Sequence, residues 1–250
     1  TIVFTSEPRS KANYTGILID EYQDVNPSQH KLVELLGPKH LFVVGDPRQS
    51  IYAWRGADPN VMFSFMKEAM EDDGSIVELT TNFRSVPNIL SFANGIIDKS
   101  YNGKHSYTSL KPHKTEQGIV SVTYYKTDVD EAKAVVKKIL DSTVARQAIF
   151  VLSRTNKGLE AVKEECDRHE IRYLLRTDEN AKQSQIPNPD QITLSTVHSI
   201  KGLEAHIVFV IGAISLHYPC KVKDHRFVQA LCSPREYNQY EEERRLLYVA

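Results

Sequence analysis

Two adjacent carboxylates, Asp20 and Glu21, end the apolar run Ile17-Leu18-Ile19. Such a run of β-branched residues and leucine reads as a buried parallel strand, apolar on both faces. Its last residues then project at the carboxyl edge of a sheet, where open α/β folds bind ligands. One carboxylate there can hold Mg2+ through water, because that ion keeps much of its hydration shell. The next can orient or deprotonate an attacking water. This is half of a nucleotide-hydrolysing site. The other half, a loop of the form Gly-x-x-x-x-Gly-Lys-Ser/Thr, does not occur in the 250 residues. Gly103-Lys104 is followed by His105, and Asp98 stands where the first glycine belongs.

A second chemical segment runs from Gly45 to Asp58. It holds Gln49, whose amide can read a phosphate, and the aromatics Tyr52 and Trp54 beside Arg55. Aromatic rings next to a cation are the usual means of stacking the bases of a single strand. The same rings could equally fill a core. Asp24 reads as a structural hydrogen-bond partner rather than a catalyst. His198 alone reads as a packed histidine, Lys201-Gly202 as a helix end, and residues 241–245 as a solvated helix face. His105, His113 and His217 have no metal-binding spacing.

Alternating strands and helices must position these residues. Strands are expected at 15–20, 41–44, 76–79, 119–125, 148–152, 171–175, 192–195 and 207–211. Helices are expected from Pro27 to the Gly37-Pro38 stop, and at 61–70, 86–97, 130–140, 159–169 and from Glu241 onward. Residues 102–117 lack periodicity and read as a loop or linker; 181–190 read as a polar, proline-containing loop and 219–240 as irregular. The alternation favours open parallel sheets in two α/β units.

Composition sets outer limits. The net charge of −1 provides no global basic field, so any nucleic-acid contact must lie in a local groove. No apolar run reaches membrane-spanning length; the longest, Ile207 to Ile214, is strand-sized. Cys166, Cys220 and Cys232 fit neither a disulfide framework nor a zinc site, which points to a reducing intracellular compartment. Thr1 opens the chain without methionine or leader, and the last residues stop inside an apolar pattern, so a piece of a longer chain is expected.

Taken with Asp20-Glu21-Tyr22-Gln23-Asp24, the 45–58 segment closely resembles superfamily 1 helicases of the UvrD/Rep/PcrA type. Three further stretches resemble that family's motifs, in the family's order: Asn82-Phe83-Arg84-Ser85, Thr196 to Glu204, and Glu241 to Ala250. Tyr22 stands for the commoner Phe, Phe83 for the commoner Tyr, and Ala205 for the usual Phe after Leu-Glu. The last motif stops before its usual Thr-Arg-Ala ending, and residues 1–13 match no motif. Only about sixteen residues separate Leu175 from Ile192, too few for the accessory domain of larger members.

The resemblance implies an α/β P-loop NTPase helicase fold with two RecA-like parallel-sheet motor domains. The first, incomplete, would cover 1–84, and the second, truncated in its last motif, 85–250. ATP would sit between them, with Mg2+ held by Asp20. Glu21 would orient or deprotonate the water, Gln49 would sense the γ-phosphate, and Arg84 would act as an arginine finger. Arg244 or Arg245 would supply a second finger. Phe83 would stack on the base, Glu204 would bond the ribose, and Gly202 would shape that site. Tyr52, Trp54 and Arg55 would meet single-stranded DNA, with Thr196 and His198 on the DNA side or coupling it to the nucleotide. The implied activity is ATP-dependent translocation on single-stranded DNA and unwinding at duplex junctions, 3′ to 5′, in DNA repair or replication, in the cytoplasm, nucleoid or nucleus. Two other readings stay open: a non-catalytic remnant that binds DNA or a partner, and the motor portion of a helicase-nuclease.

Overall fold

The computed structural model describes residues 14–71, 74–97, 109–177, 186–220 and 238–250. Their fold is α/β with parallel strand pairing throughout, as expected. Two compact units emerge: the described part of Thr1–Thr80 with that of Asp224–Arg245, and that of Thr81–Lys223 with Leu246–Ala250. Thr81 to Arg84 and residues 238–245 were expected on the opposite sides of this division. Local contacts explain the difference: Thr81 and Asn82 pair with Lys111 and Pro112, whereas Glu242 and Arg245 bond to residues 50–53.

In the first unit, β1 (Gly16–Ile19) pairs in parallel with β2 (His40–Val43), register Ile17↔Leu41 and Ile19↔Val43. The connecting helix α1 (Pro27–Leu36) has clear sequence causes. Asn26 Oδ1 accepts the Gln29 N–H at 2.8 Å, Gln29 Oε1 accepts the Asn26 N–H at 2.9 Å, and Pro27 occupies the first turn. This capping box satisfies donors that a helix start leaves open. Gly37, at φ 56°, ends the helix in the left-handed conformation that glycine adopts at least cost. Helix α2 (Pro59–Glu71) follows. The expectation of two buried strand faces fails here. Leu18 is 79% and Phe42 61% exposed, because among the described residues no layer covers that side of the pair.

The second unit carries the larger core. Its first elements are β3 (Thr81–Asn82), α3 (Pro87–Ile97) and β4 (Lys111–Pro112), with β3 and β4 paired in parallel. Then come α4 (Asp128–Asp141), β5 (Ile149–Ser153), α5 (Glu160–Arg168), β6 (Tyr173–Arg176), β7 (Ile192–Thr196), the single turn α6 (Val197–Ile200) and β8 (Ile207–Val210). The sheet order is β6-β7-β5-β8. Both β5 and β7 are buried along their whole length, as central parallel strands should be. Ala132, Val135, Val136 and Ile139 form the buried stripe of α4 and pack with Val151, Leu159, Val162 and Leu194. Thr127 caps α4 by accepting the Asp130 N–H at 3.1 Å, and Asp128, Asp130 and Glu131 complement the helix dipole in the first turn. Helix α7 (Gln239–Val249) closes the described chain.

Two expected strands do not form among the described residues. Residues 76–79 and 119–125 join no ladder, and Val77, Leu79, Ile119 and Tyr124 are exposed. No helix among the described residues is long and apolar enough to cross a membrane.

Candidate active site and strand-contact turn

The β1 strand delivers Asp20 and Glu21, both exposed, to the carboxyl edge of the β1–β2 pair. Asp20 Oδ1 accepts the Glu21 N–H at 2.8 Å. Glu21 has φ 52° and ψ 42°, a left-handed backbone that non-glycine residues rarely adopt. That bend ends the strand and starts the short turn Tyr22–Asp24. Tyr22 anchors the turn from below: its N–H donates to Val44 O at 2.9 Å, and its ring packs edge-on against Phe65. Its hydroxyl lies 2.6 Å from His30 Nδ1. Burial, followed by Glu34 and Glu68, pushes the Tyr22 hydroxyl up to about 12, so it stays protonated.

Gln23 is fully buried and bonds at both ends of its amide. Its Nε2 donates to Glu21 Oε2 at 2.5 Å, and its Oε1 accepts the Asp46 N–H at 2.8 Å. Asp46 continues the chain of bonds: Oδ1 accepts from Arg48 N at 3.0 Å and Arg48 Nε at 2.8 Å, and Oδ2 accepts from Gln49 Nε2 at 3.0 Å. The Ser50 hydroxyl donates to Gln23 O at 2.9 Å. Glu21 and Gln49, 28 positions apart, are thus joined through two intermediate side chains. Asp24, expected to be structural, is half-buried at the end of this turn.

Beyond Ser50, the short turn Ala53–Arg55 presents the aromatics. The Arg55 guanidinium carbon lies 4.3 Å from the Trp54 ring centre and 5.0 Å from that of Tyr52. The two rings meet edge-on, 6.2 Å apart. Both are half-buried and Arg55 is exposed, so the cluster is a surface platform rather than core. Helix α7 holds its base. Glu242 Oε1 accepts the Ala53 N–H at 3.0 Å, and Arg245 Nε donates to Ser50 O at 2.6 Å. Arg245 is buried and committed to that carbonyl, whereas Arg244 is half-buried. Residues 241–245 are therefore no solvated face, since Glu242, Glu243 and Arg245 are all buried.

The second unit gathers the remaining residues. Asn82 Oδ1 accepts the N–H groups of Arg84 at 3.1 Å and Ser85 at 2.7 Å, forming the turn that projects Phe83 and Arg84 outward. Phe83 is exposed and lies 4.6 Å, centre to centre, from the His113 ring. Arg84 Nε pairs with Glu204 Oε2 at 2.9 Å, two side chains both more than half exposed. Gly202, at φ 87°, makes the left-handed turn that sends Leu203 and Glu204 outward, with open space where a side chain would stand. Thr196 is buried, and its hydroxyl caps α6 by accepting the Ser199 N–H at 3.3 Å. His198 is half-buried on that turn.

Four participants had no individual role assigned from the sequence: Gln23, Asp46, Glu242 and His113. One clue lay in Gly45, which follows the second strand. A Cβ there would stand 2.6 Å from Gln23 Oε1, so the glycine marks a close approach.

Residues 6–70 match the UvrD/REP helicase N-terminal domain, and residues 77–178 and 174–250 match the UvrD-like helicase C-terminal domain. The chain is 37% identical over 169 residues to the ATP-dependent DNA helicase PcrA of Staphylococcus epidermidis, covering 64% of this chain and 22% of that protein. It is 37% identical over 167 residues to the ATP-dependent DNA helicase Rep of Buchnera aphidicola, covering 64% and 25%. With PcrA of Leuconostoc citreum it shares 32% over 185 residues, covering 69% and 24%. The chain thus spans a quarter or less of the length of these relatives. The C-terminal-domain match alone takes in well over half of the 250 residues, and the chain belongs to the UvrD-like helicase family.

Proposed function

We propose that this chain is part of an ATP-driven motor that moves along single-stranded DNA, 3′ to 5′, and opens duplex junctions during DNA repair or replication inside the cell. The observation that carries the reading is the meeting of Asp20, Glu21 and Gln49 at one sheet edge, joined through Gln23 and Asp46. In this reading Asp20 holds Mg2+ and Glu21 orients or deprotonates the attacking water. Gln49 reads the γ-phosphate. Arg84 and Arg244 supply guanidinium charge, and Arg245 holds Ser50 in place. Phe83, Gly202 and Glu204 serve the base and ribose, while Tyr52, Trp54 and Arg55 stack on the DNA. His198 faces the strand, and Thr196 fixes its turn.

The donor set suits Mg2+. Among the described residues Asp20 accepts only the Glu21 N–H, and no group of three or more His, Cys, Asp or Glu forms a protein cage. Mg2+ is commonly held through one or two carboxylates, with waters and substrate phosphates completing its shell. When bound, it would neutralise phosphate charge. Arg84 and Glu204 neutralise each other until phosphate and ribose compete for them.

The test is Glu21→Gln in the full-length protein. The expected result is ATP binding retained and DNA-stimulated turnover lost; normal turnover would remove Glu21 from this role.

A further inference from the structure

We infer that Gln23 is a positioning residue for hydrolysis: its buried amide aims the Glu21 carboxylate and ties it to the loop that carries Gln49 and the strand-contact turn. The inference rests on the reading of Glu21 as the group that handles the attacking water.

Three independent features support it. First, Gln23 uses its amide as a two-ended connector, donating to Glu21 Oε2 and accepting from Asp46 N. A buried glutamine satisfied only for packing needs no catalytic partner, yet this one spends its donor on the exposed carboxylate. Second, Glu21 lies in a left-handed backbone that Glu does not choose by itself. Residues in sparsely populated conformations persist only where their surroundings hold them, and Gln23 together with the Glu21 N–H bond to Asp20 does so. Third, Gly45 leaves room for the amide; a Cβ there would lie 2.6 Å from Gln23 Oε1 and 3.1 Å from Tyr22 N. The loop beyond is committed to the same geometry, since Asp46 holds Arg48 and Gln49 while Ser50 Oγ bonds Gln23 O. A displacement of the Gln49–Tyr52 segment by bound DNA would therefore be felt at Glu21 through the Asp46 and Gln23 side chains.

Gln23→Glu separates the two arms. It preserves size and the oxygen that accepts from Asp46, but replaces the donor facing Glu21 with a like charge. In the full-length protein we expect kcat for DNA-stimulated ATP hydrolysis to fall roughly tenfold to a hundredfold, the cost of misplacing a catalytic group by about an ångström. KM for ATP and the Kd for single-stranded DNA should stay within about twofold, the pattern of an interaction used in the transition state alone. Gly45→Ala displaces the same amide without touching its chemistry and should lower kcat in the same direction, which keeps the test decisive if Gln23→Glu misfolds. A wild-type kcat in either folded variant would overturn the inference. So would a loss of kcat matched by equal losses of ATP and DNA binding, which would assign Gln23 to packing. Glu21→Gln assayed alongside distinguishes the failures. If that variant is inactive while Gln23→Glu is active, only the present inference falls; if it turns over normally, the reading of Glu21 falls first.

Discussion

Arg245 donates from Nε to the carbonyl oxygen of Ser50 at 2.6 Å, within the first unit and out of solvent. Sequence alone left Arg244 and Arg245 equivalent as arginine fingers. A guanidinium committed to a buried carbonyl is poorly free to swing toward a phosphate, so the two residues should separate experimentally. Arg245→Ala is expected to lower stability by about 1.5–3 kcal/mol, the usual cost of deleting a buried charged hydrogen-bond partner. Arg244→Ala should change stability by no more than about 0.5 kcal/mol and abolish turnover in the full-length protein. Thermal unfolding and ATPase assays on the pair decide this; an unchanged melting temperature in Arg245→Ala would contradict the assignment.

Trp54 offers one ring face to its own Arg55. Trp54→Ala should weaken single-strand binding by roughly 1–3 kcal/mol if a base stacks on this platform. A fluorescence titration with a labelled oligonucleotide measures it, and an unchanged isotherm would make the platform structural.

Glu131 accepts the Gly212 N–H at 3.2 and 3.1 Å from its half-buried place at the start of α4. Burial pushes its carboxyl up from the usual 4.5; the Gly212 bond and nearby His217 act against that, and Asp128 acts with it. A carboxyl raised on folding binds more protons in the native than in the unfolded state. Stability attributable to it is therefore highest below 4.5 and falls as pH rises through the raised native value. Glu131→Gln keeps an acceptor for Gly212 and removes that dependence. Denaturant unfolding across this window should show a flatter profile in the variant.

The 250 residues contain no Gly-x-x-x-x-Gly-Lys-Ser/Thr loop to cradle the β- and γ-phosphates. The chain expressed alone should hydrolyse ATP at background level, with or without oligonucleotide. A phosphate-release assay giving robust DNA-stimulated turnover would refute this.

Much of the fold was legible because hydrophobic period and capping agree. Ala132, Val135, Val136 and Ile139 announce one face of α4, and Asn26-Pro27 announces the start of α1. The unpaired segments at 76–79 and 119–125 were not distinguishable from strands, since side-chain alternation is the same whether or not a partner supplies the ladder. The β3–β4 pairing was invisible for the opposite reason: Thr81-Asn82 and Lys111-Pro112 have no apolar pattern at all. Residue chemistry singled out Asp20, Glu21 and Gln49 as candidates, but not Gln23 as their connector. Gln23 does its work through a bond to a residue 23 positions away, which no local spacing encodes.

The left-handed backbone at Glu21 coexists with a bond that the buried Gln23 amide depends on. Glycine would occupy that conformation with less strain, a relief on the order of 1 kcal/mol, but would leave the buried Gln23 Nε2 without its acceptor, a cost of about 1–3 kcal/mol. Glu21→Gly should accordingly lower the melting temperature or leave it unchanged, which thermal unfolding measures. A side chain long enough to reach the interior amide is therefore favoured at this position even though its backbone is uneasy there.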